Sequence, residues 1–194
     1  MQKLAATQLM SLEQYARERP ALRPGMIEHR RARQLQIGEH CTWCFEDRRT
    51  VHYQVQEMLR SERIFESAAI AEELATYNPL IPDGSNLKVT LLIEYADAQE
   101  RARRLADLRG FERRCWMQVA GFEPVYAIAD EDLVRENDSK TSAVHFLRFE
   151  FSAAMIERAK TGVALAAGVD HPEYRHSVDP LPDGLRRALL ADFA

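Results

Sequence analysis

Hydrophobic positions along this chain recur with two different periods, and the switch between them predicts the elements. Ser11-Leu12-Glu13-Gln14 fits a capping box at the start of a helix. Pro20 and Pro24 break that stretch, so a second helix is expected from about Pro24 to Arg33. Leu35 and Ile37, then Cys41, Trp43 and Phe45, alternate with polar residues on either side of Gly38-Glu39, the pattern of a hairpin. Val51, Val55, Met58 and Leu59 then recur at helical spacing over Thr50 to Ile64, as do Ile70, Leu74 and Tyr77 over Glu66 to Tyr77. Val89, Leu91, Ile93 and Tyr95 alternate as a strand, and Asp97 to Leu108 reads as a helix. Cys115 to Val119 and Val125 to Ala129 predict a second hairpin around Gly121. Ala143 to Phe151 is a further strand, Ser152 caps a short helix ending at Gly162, and Val163 to Val169 is another apolar run.

Hairpins mixed irregularly with helices predict an α+β fold, with a mostly antiparallel sheet packed against several helices. The length of 194 residues fits a single domain over 1–194. Within it, 1–33 is a helical N-terminal segment, 34–181 the α+β core and 182–194 a C-terminal helix. Hydrophobic residues at 46% and charged residues at 29% are ordinary for a globular chain. The net charge of -4 supplies no general attraction to nucleic acid or to an anionic membrane. The basic run His29-Arg30-Arg31-Ala32-Arg33 reads as a solvated helix face, because no stacking aromatics or recognition motif accompany it. No stretch approaches the ~20 apolar residues needed to span a bilayer. The first residues lack a signal-peptide core, and three cysteines argue against a disulfide framework, so a cytoplasmic location is expected.

The chemistry enters where polar groups interrupt apolar stripes. Glu62 falls on the Val51/Val55 stripe and Glu73 beside Tyr77, while His145 shares a strand face with Leu147, Phe149 and Phe151. Buried carboxylates are costly unless paired, protonated or metal-bound. Two carboxylates and an imidazole suit non-haem iron, manganese or zinc, with His171 (from a loop) and His52 as further ligands. The competing reading is a set of ion pairs, with Arg60, Arg63, Arg101 or Arg148 as partners. No Glu-x-x-His occurs in the helical stretches, which disfavours a ferritin-like bundle. Cys41 and Cys44 lie three apart on a predicted strand and so face opposite ways, which rules against a shared metal. Phosphate-binding glycine motifs and the G-x-S-x-G elbow are absent. Arg60, Arg63, Lys88 and Arg148 form a candidate anion-binding set, with cross-strand ion pairing as its alternative. The Asn78–Asn86 loop, with Asn78, Asp83 and Asn86, is a candidate partner surface.

Several stretches resemble an uncharacterised bacterial family, domain of unknown function three-five-zero-one. They are Thr50 to Arg60 with Glu62-Arg63-Ile64-Phe65, Tyr77 to Asn86, Val144 to Phe149, and Gly168-Val169-Asp170-His171-Pro172. The resemblance covers nearly the whole chain and supplies no catalytic residues. It implies gene neighbours encoding rubrerythrin and an iron–sulfur oxidoreductase, and hence an oxidative-stress or redox role with those proteins as partners. The leading expectation is therefore an accessory of such a system holding a non-haem metal. A non-catalytic interaction module and a small-anion or nucleotide binder are the alternatives, and whether the protein is an enzyme stays open.

Overall fold

Two antiparallel sheets face one another across a common core, and a layer of helices covers the outer side of the first. The computed structural model describes residues 2–131, 133, 135 and 139–194. The first sheet has the order β1 (Gln34–Ile37), β2 (Cys41–Glu46), β3 (Asn86–Ile93), β7 (Val144–Glu150) and β6 (Ile128–Ala129). The second has the order β5 (Val125–Tyr126), β4 (Cys115–Val119), β8 (Leu165–His171) and β9 (Tyr174–Val178). The α+β class is as the sequence predicts.

Period-two alternation fixes which face of each strand goes inward. Trp43 and Phe45 of β2, Val89 and Leu91 of β3, and Leu147 and Phe149 of β7 meet Met117, Val119, Ala167 and Val169 of the second sheet in one cluster. Trp43 stacks on Phe149 with ring centroids 5.2 Å apart. Helices α4 (Ala98–Asp107), α5 (Ala153–Lys160) and α6 (Asp183–Leu190) close this core with Leu105, Ile156, Leu185 and Leu189. The predicted strand Val125 to Ala129 divides at Ala127: β5 pairs with β4 in one sheet and β6 with β7 in the other. Strand β9 escapes the sequence pattern because Arg175, His176 and Ser177 are all exposed along it.

The helical layer comprises α1 (Leu12–Arg31), α2 (Arg48–Ser61) and α3 (Ser67–Tyr77). Ser11 caps α1, its hydroxyl accepting from the Gln14 amide at 3.2 Å. The helix does not break at Pro20 or Pro24, and this corrects the expected two-helix reading. Each proline removes one i to i−4 hydrogen bond, freeing the carbonyls of Ala16 and Pro20. Ala16, Pro20 and Pro24 all lie on the exposed side, where water can satisfy those carbonyls. Tyr15 and Arg19 anchor the buried side by donating to the Glu57 carboxylate of α2 at 2.7 Å each. Beneath the helices, Leu4, Val51, Val55, Leu59, Leu74 and Ile81 form a separate apolar cluster.

The basic run at the end of α1 is only partly solvated. Arg33 is 4% exposed and donates to the carbonyls of Phe45 (3.1 Å), Ala188 (3.1 Å) and Glu46 (3.3 Å) and to the Asp192 carboxylate. His29 contacts Asp47 at 2.7 Å. These residues join α1, β2 and the segment after α6.

A candidate binding groove on the outer face of the first sheet

The sequence-predicted metal residues occupy separate parts of the fold. Helix α2 ends at Ser61, so Glu62 is its C-cap and is exposed, not part of the core stripe. The cause is Arg63, whose backbone takes a left-handed φ of 55°. That turn lets the Ile64 amide donate to the Leu59 carbonyl at 2.9 Å and folds Ile64 back onto the apolar cluster, closing the helix a turn early. Glycine usually supplies this conformation, so arginine there gives the sequence no stop signal. Glu73 is half-exposed on α3, where Leu74 is the buried residue. His52 is half-buried on α2, its Nε2 3.0 Å from the Gln8 carbonyl. His171 lies at the end of strand β8 and not in a loop. It is buried, with Nε2 3.0 Å from the Arg109 carbonyl and Nδ1 accepting from the Glu173 amide at 3.2 Å. Among the described residues no three His, Cys, Asp or Glu side chains gather as a metal-ligand group.

His145 does face the core, as its strand position predicts, and is fully buried. Its Nδ1 lies 2.6 Å from Asp130 Oδ2, and its Nε2 lies 2.8 Å from Thr141 Oγ1. An acid, an imidazole and a hydroxyl in series have the order of a nucleophilic relay. Here Thr141 is 1% exposed, so the hydroxyl has no access to substrate. The series instead fixes Asp130, which also accepts from the Phe146 amide at 3.1 Å. The next residue, Glu131, is thereby set against Arg148.

That placement matters for the outer face of the first sheet, where the strands present a grid of side chains. The register puts Cys44 of β2, Thr90 of β3 and Phe146 of β7 in one row, and Glu46, Lys88 and Arg148 in the next. The helical layer roofs this grid and leaves two cavities. One, of about 370 Å³, is lined by Cys44, Glu46, Thr50, Gln54, Thr90 and Leu92 among others. The other, of about 410 Å³, is lined by Pro79, Lys88, Glu131, Arg135, Leu147 and Arg148 among others. Both share Tyr77, Leu80 and Phe146, so they form a single groove with an apolar middle. The volumes fall in the range of small-molecule sites.

The polar groups of the groove are mostly committed to each other. Glu46 accepts from the hydroxyls of Thr90 (2.6 Å) and Thr50. Arg30 donates to Gln54 at 3.2 Å. Arg148 forms a two-pronged pair with Glu131, both contacts at 2.8 Å, and reaches Glu150 at 2.5 Å. Arg135 pairs with Asp130 at 3.4 Å and covers the Phe146 ring at 4.5 Å. Among the described residues, Lys88 is the groove cation whose nitrogen has no hydrogen-bond or ion-pair partner. Burial holds its amine below the usual lysine value, with the Arg148 guanidinium adding to the effect and Glu131 opposing it.

The expected anion-binding set therefore divides. Lys88 and Arg148 line the groove, whereas Arg60 and Arg63 lie at the exposed end of α2, with Arg60 3.5 Å from Glu57. Arg101 is exposed and donates to the Tyr95 carbonyl at 3.3 Å, so it does not neutralise a buried glutamate. Cys41 faces the core and Cys44 the groove, on opposite sides of β2. Burial raises both thiols, pushing Cys41 up to about 12. The loop residues expected to meet a partner are used internally. Asn78 exchanges hydrogen bonds with the Leu4 backbone (2.8 and 3.0 Å), Asp83 accepts from the Ser85 amide (2.9 Å), and Asn86 is buried and donates to Glu150 (3.3 Å). Glu46, Thr50, Gln54, Tyr77 and Phe146 are groove residues that sequence reasoning missed. Phe146 and Leu92 on an otherwise polar strand face were the available signal.

No helix among the described residues is long and apolar enough to cross a membrane. No curated protein matches the chain. A solved structure from Burkholderia pseudomallei K96243, described as a novel protein of unknown function, is 44% identical to it. The match covers 100% of both chains with a TM-score of 0.94. Residues 3–193 match the family described as protein of unknown function (DUF3501), and the chain belongs to that family.

Proposed function

We propose that the protein binds a small amphipathic anion in the groove between the first sheet and its helical roof. The observation that carries this reading is Lys88, a half-buried ammonium that no carboxylate bonds among the described residues, set beside an apolar wall of Pro79, Leu80 and Phe146. An uncompensated charge in such a place costs stability, and a ligand carboxylate or phosphate offsets that cost. The Arg148 guanidinium is already held by Glu131 and Glu150 and so does not compete with Lys88 for the ligand. The polar cluster of Glu46, Thr50 and Gln54 at the far end offers hydrogen bonds to a second polar group. The metal-centred alternative draws on Glu62, Glu73 and His145, which belong to no three-residue ligand group among the described residues, so the groove is the reading proposed.

Calorimetric titration with phenyl phosphate and benzoate, against benzyl alcohol as the uncharged control, tests the reading. The anions should bind and the alcohol should not. Lys88→Met should weaken anion binding about ten-fold or more, as expected for one charge-assisted hydrogen bond of roughly 1.5–3 kcal/mol. Equal affinity in wild type and Lys88→Met, or no anion binding at all, would refute it.

A further inference from the structure

We infer that Lys88 is a nucleophilic amine, and that the groove captures an aromatic or long-chain aldehyde as an imine on its Nζ. This rests on the groove being the ligand site and adds a covalent step to it.

The chain has twenty-two arginines and only four lysines. Where the groove and its surroundings need a fixed cation, the residue is arginine, as at Arg30, Arg33, Arg135 and Arg148. A guanidinium is always charged and pairs with carboxylates, whereas an amine can lose its proton and attack carbon. Among the described residues no carboxylate bonds the Lys88 amine, although Glu131 and Asp83 act on it through space. Glu46, directly across the sheet from Lys88, accepts from Thr50 and Thr90. Glu131 and Glu150 are taken by Arg148. Burial is the largest influence and favours the neutral amine; the Glu131 and Asp83 charges oppose it, and the Arg148 and Lys3 charges add to it. The wall of Pro79, Leu80, Phe146 and Leu147 would seat an apolar aldehyde and limit water around the product.

The step balances without an oxidant or reductant. Neutral Nζ attacks the carbonyl carbon, and the new C–N bond gives a carbinolamine whose former carbonyl oxygen takes up a proton. That oxygen leaves as water, carrying away the two protons that the nitrogen loses overall, and a C=N bond remains. The other lysines lack this setting. Lys3 donates to the carbonyls of Asn78 (2.9 Å) and Ile81 (2.8 Å), Lys160 donates to the Ala194 carbonyl, and Lys140 is exposed.

The test is reductive trapping of the full-length protein with benzaldehyde and cyanoborohydride at pH 7, read lysine by lysine through peptide mass spectrometry. Lys88 should be alkylated saturably and at least about ten-fold faster than Lys140 or Lys160, because the groove holds the aldehyde beside its amine. Phenyl phosphate should protect it. Labelling of Lys88 no faster than Lys140 would overturn the inference. Lys88→Arg separates the two ideas, because it keeps the charge and removes the nucleophile. If wild type and Lys88→Arg both bind phenyl phosphate while Lys88 traps no aldehyde preferentially, the imine falls and the anion site stands. If neither binds phenyl phosphate and trapping is also unselective, both fall.

Discussion

Replacing Arg33 by methionine tests the most heavily bonded buried charge in the protein. The side chain is 4% exposed, contacts Asp192 directly, and lies 3.6 Å from Asp47. It also satisfies three backbone carbonyls, on Phe45, Glu46 and Ala188. Methionine fills much of the volume but strands the carboxylate and the carbonyls. Breaking one side of a buried pair costs about 3–5 kcal/mol. For a chain of this size that is a fall in Tm of roughly 6–20 °C, at about 2–4 °C per kcal/mol. The assay is differential scanning calorimetry at pH 8, where Asp192 is ionised because its carboxyl is pushed up only to about 6. The double variant Arg33→Met/Asp192→Leu should recover at least about 1.5 kcal/mol of the loss, since removing both charges removes the stranded one. A loss below about 1 kcal/mol in the single variant, or no recovery in the double, would refute the reasoning.

The same carboxyl predicts a pH dependence. Burial raises Asp192 from an ordinary 3.8 to about 6, outweighing the Arg33 charge that opposes the shift. The folded state thus holds the proton more tightly, so this group favours folding below 3.8 and that contribution is lost as pH rises through 6. Denaturant unfolding between pH 4 and 6 should show a shallower gain on acidification in Asp192→Asn than in wild type; parallel profiles would count against the assignment. Gly168→Ala should lose about 1–3 kcal/mol by overpacking. Its Cβ would fall 2.6 Å from Trp116 Cζ2 and 2.8 Å from the His176 carbonyl oxygen. An unchanged Tm would mean that Trp116 yields more easily than its packing suggests.

How much of this was legible in the sequence depended on whether a residue's role was set locally. Strands β2, β3 and β7 each bury one face, so strict alternation revealed them, and it also placed His145 toward the core. The caps at Ser11 and Ser152 were readable because each hydroxyl accepts from an amide three residues on. What failed was set by the tertiary environment. The path of α1 through Pro20 and Pro24 depends on which side of the helix meets water. The end of α2 depends on a left-handed arginine, and with it went the burial of Glu62. The groove draws Glu46, Tyr77, Lys88 and Phe146 from four elements, so no spacing along the chain could announce it. Lys88 and Arg148 were visible as a polar strand face, but only the position of Glu131 shows why one is neutralised and the other is not.

Strands β2 and β3 are antiparallel neighbours, yet no tight turn joins them: residues 47–85 intervene and carry α2 and α3. The part of the roof formed by α2 and α3 is thus an enlarged hairpin loop resting on a sheet whose pairing it does not interrupt. Substitutions in that connection can reshape the ligand space while the strand register and the sandwich core stay fixed. Under the proposed anion-binding role, differences in ligand preference among relatives should therefore concentrate in the stretch equivalent to 47–85, with the floor changing more slowly.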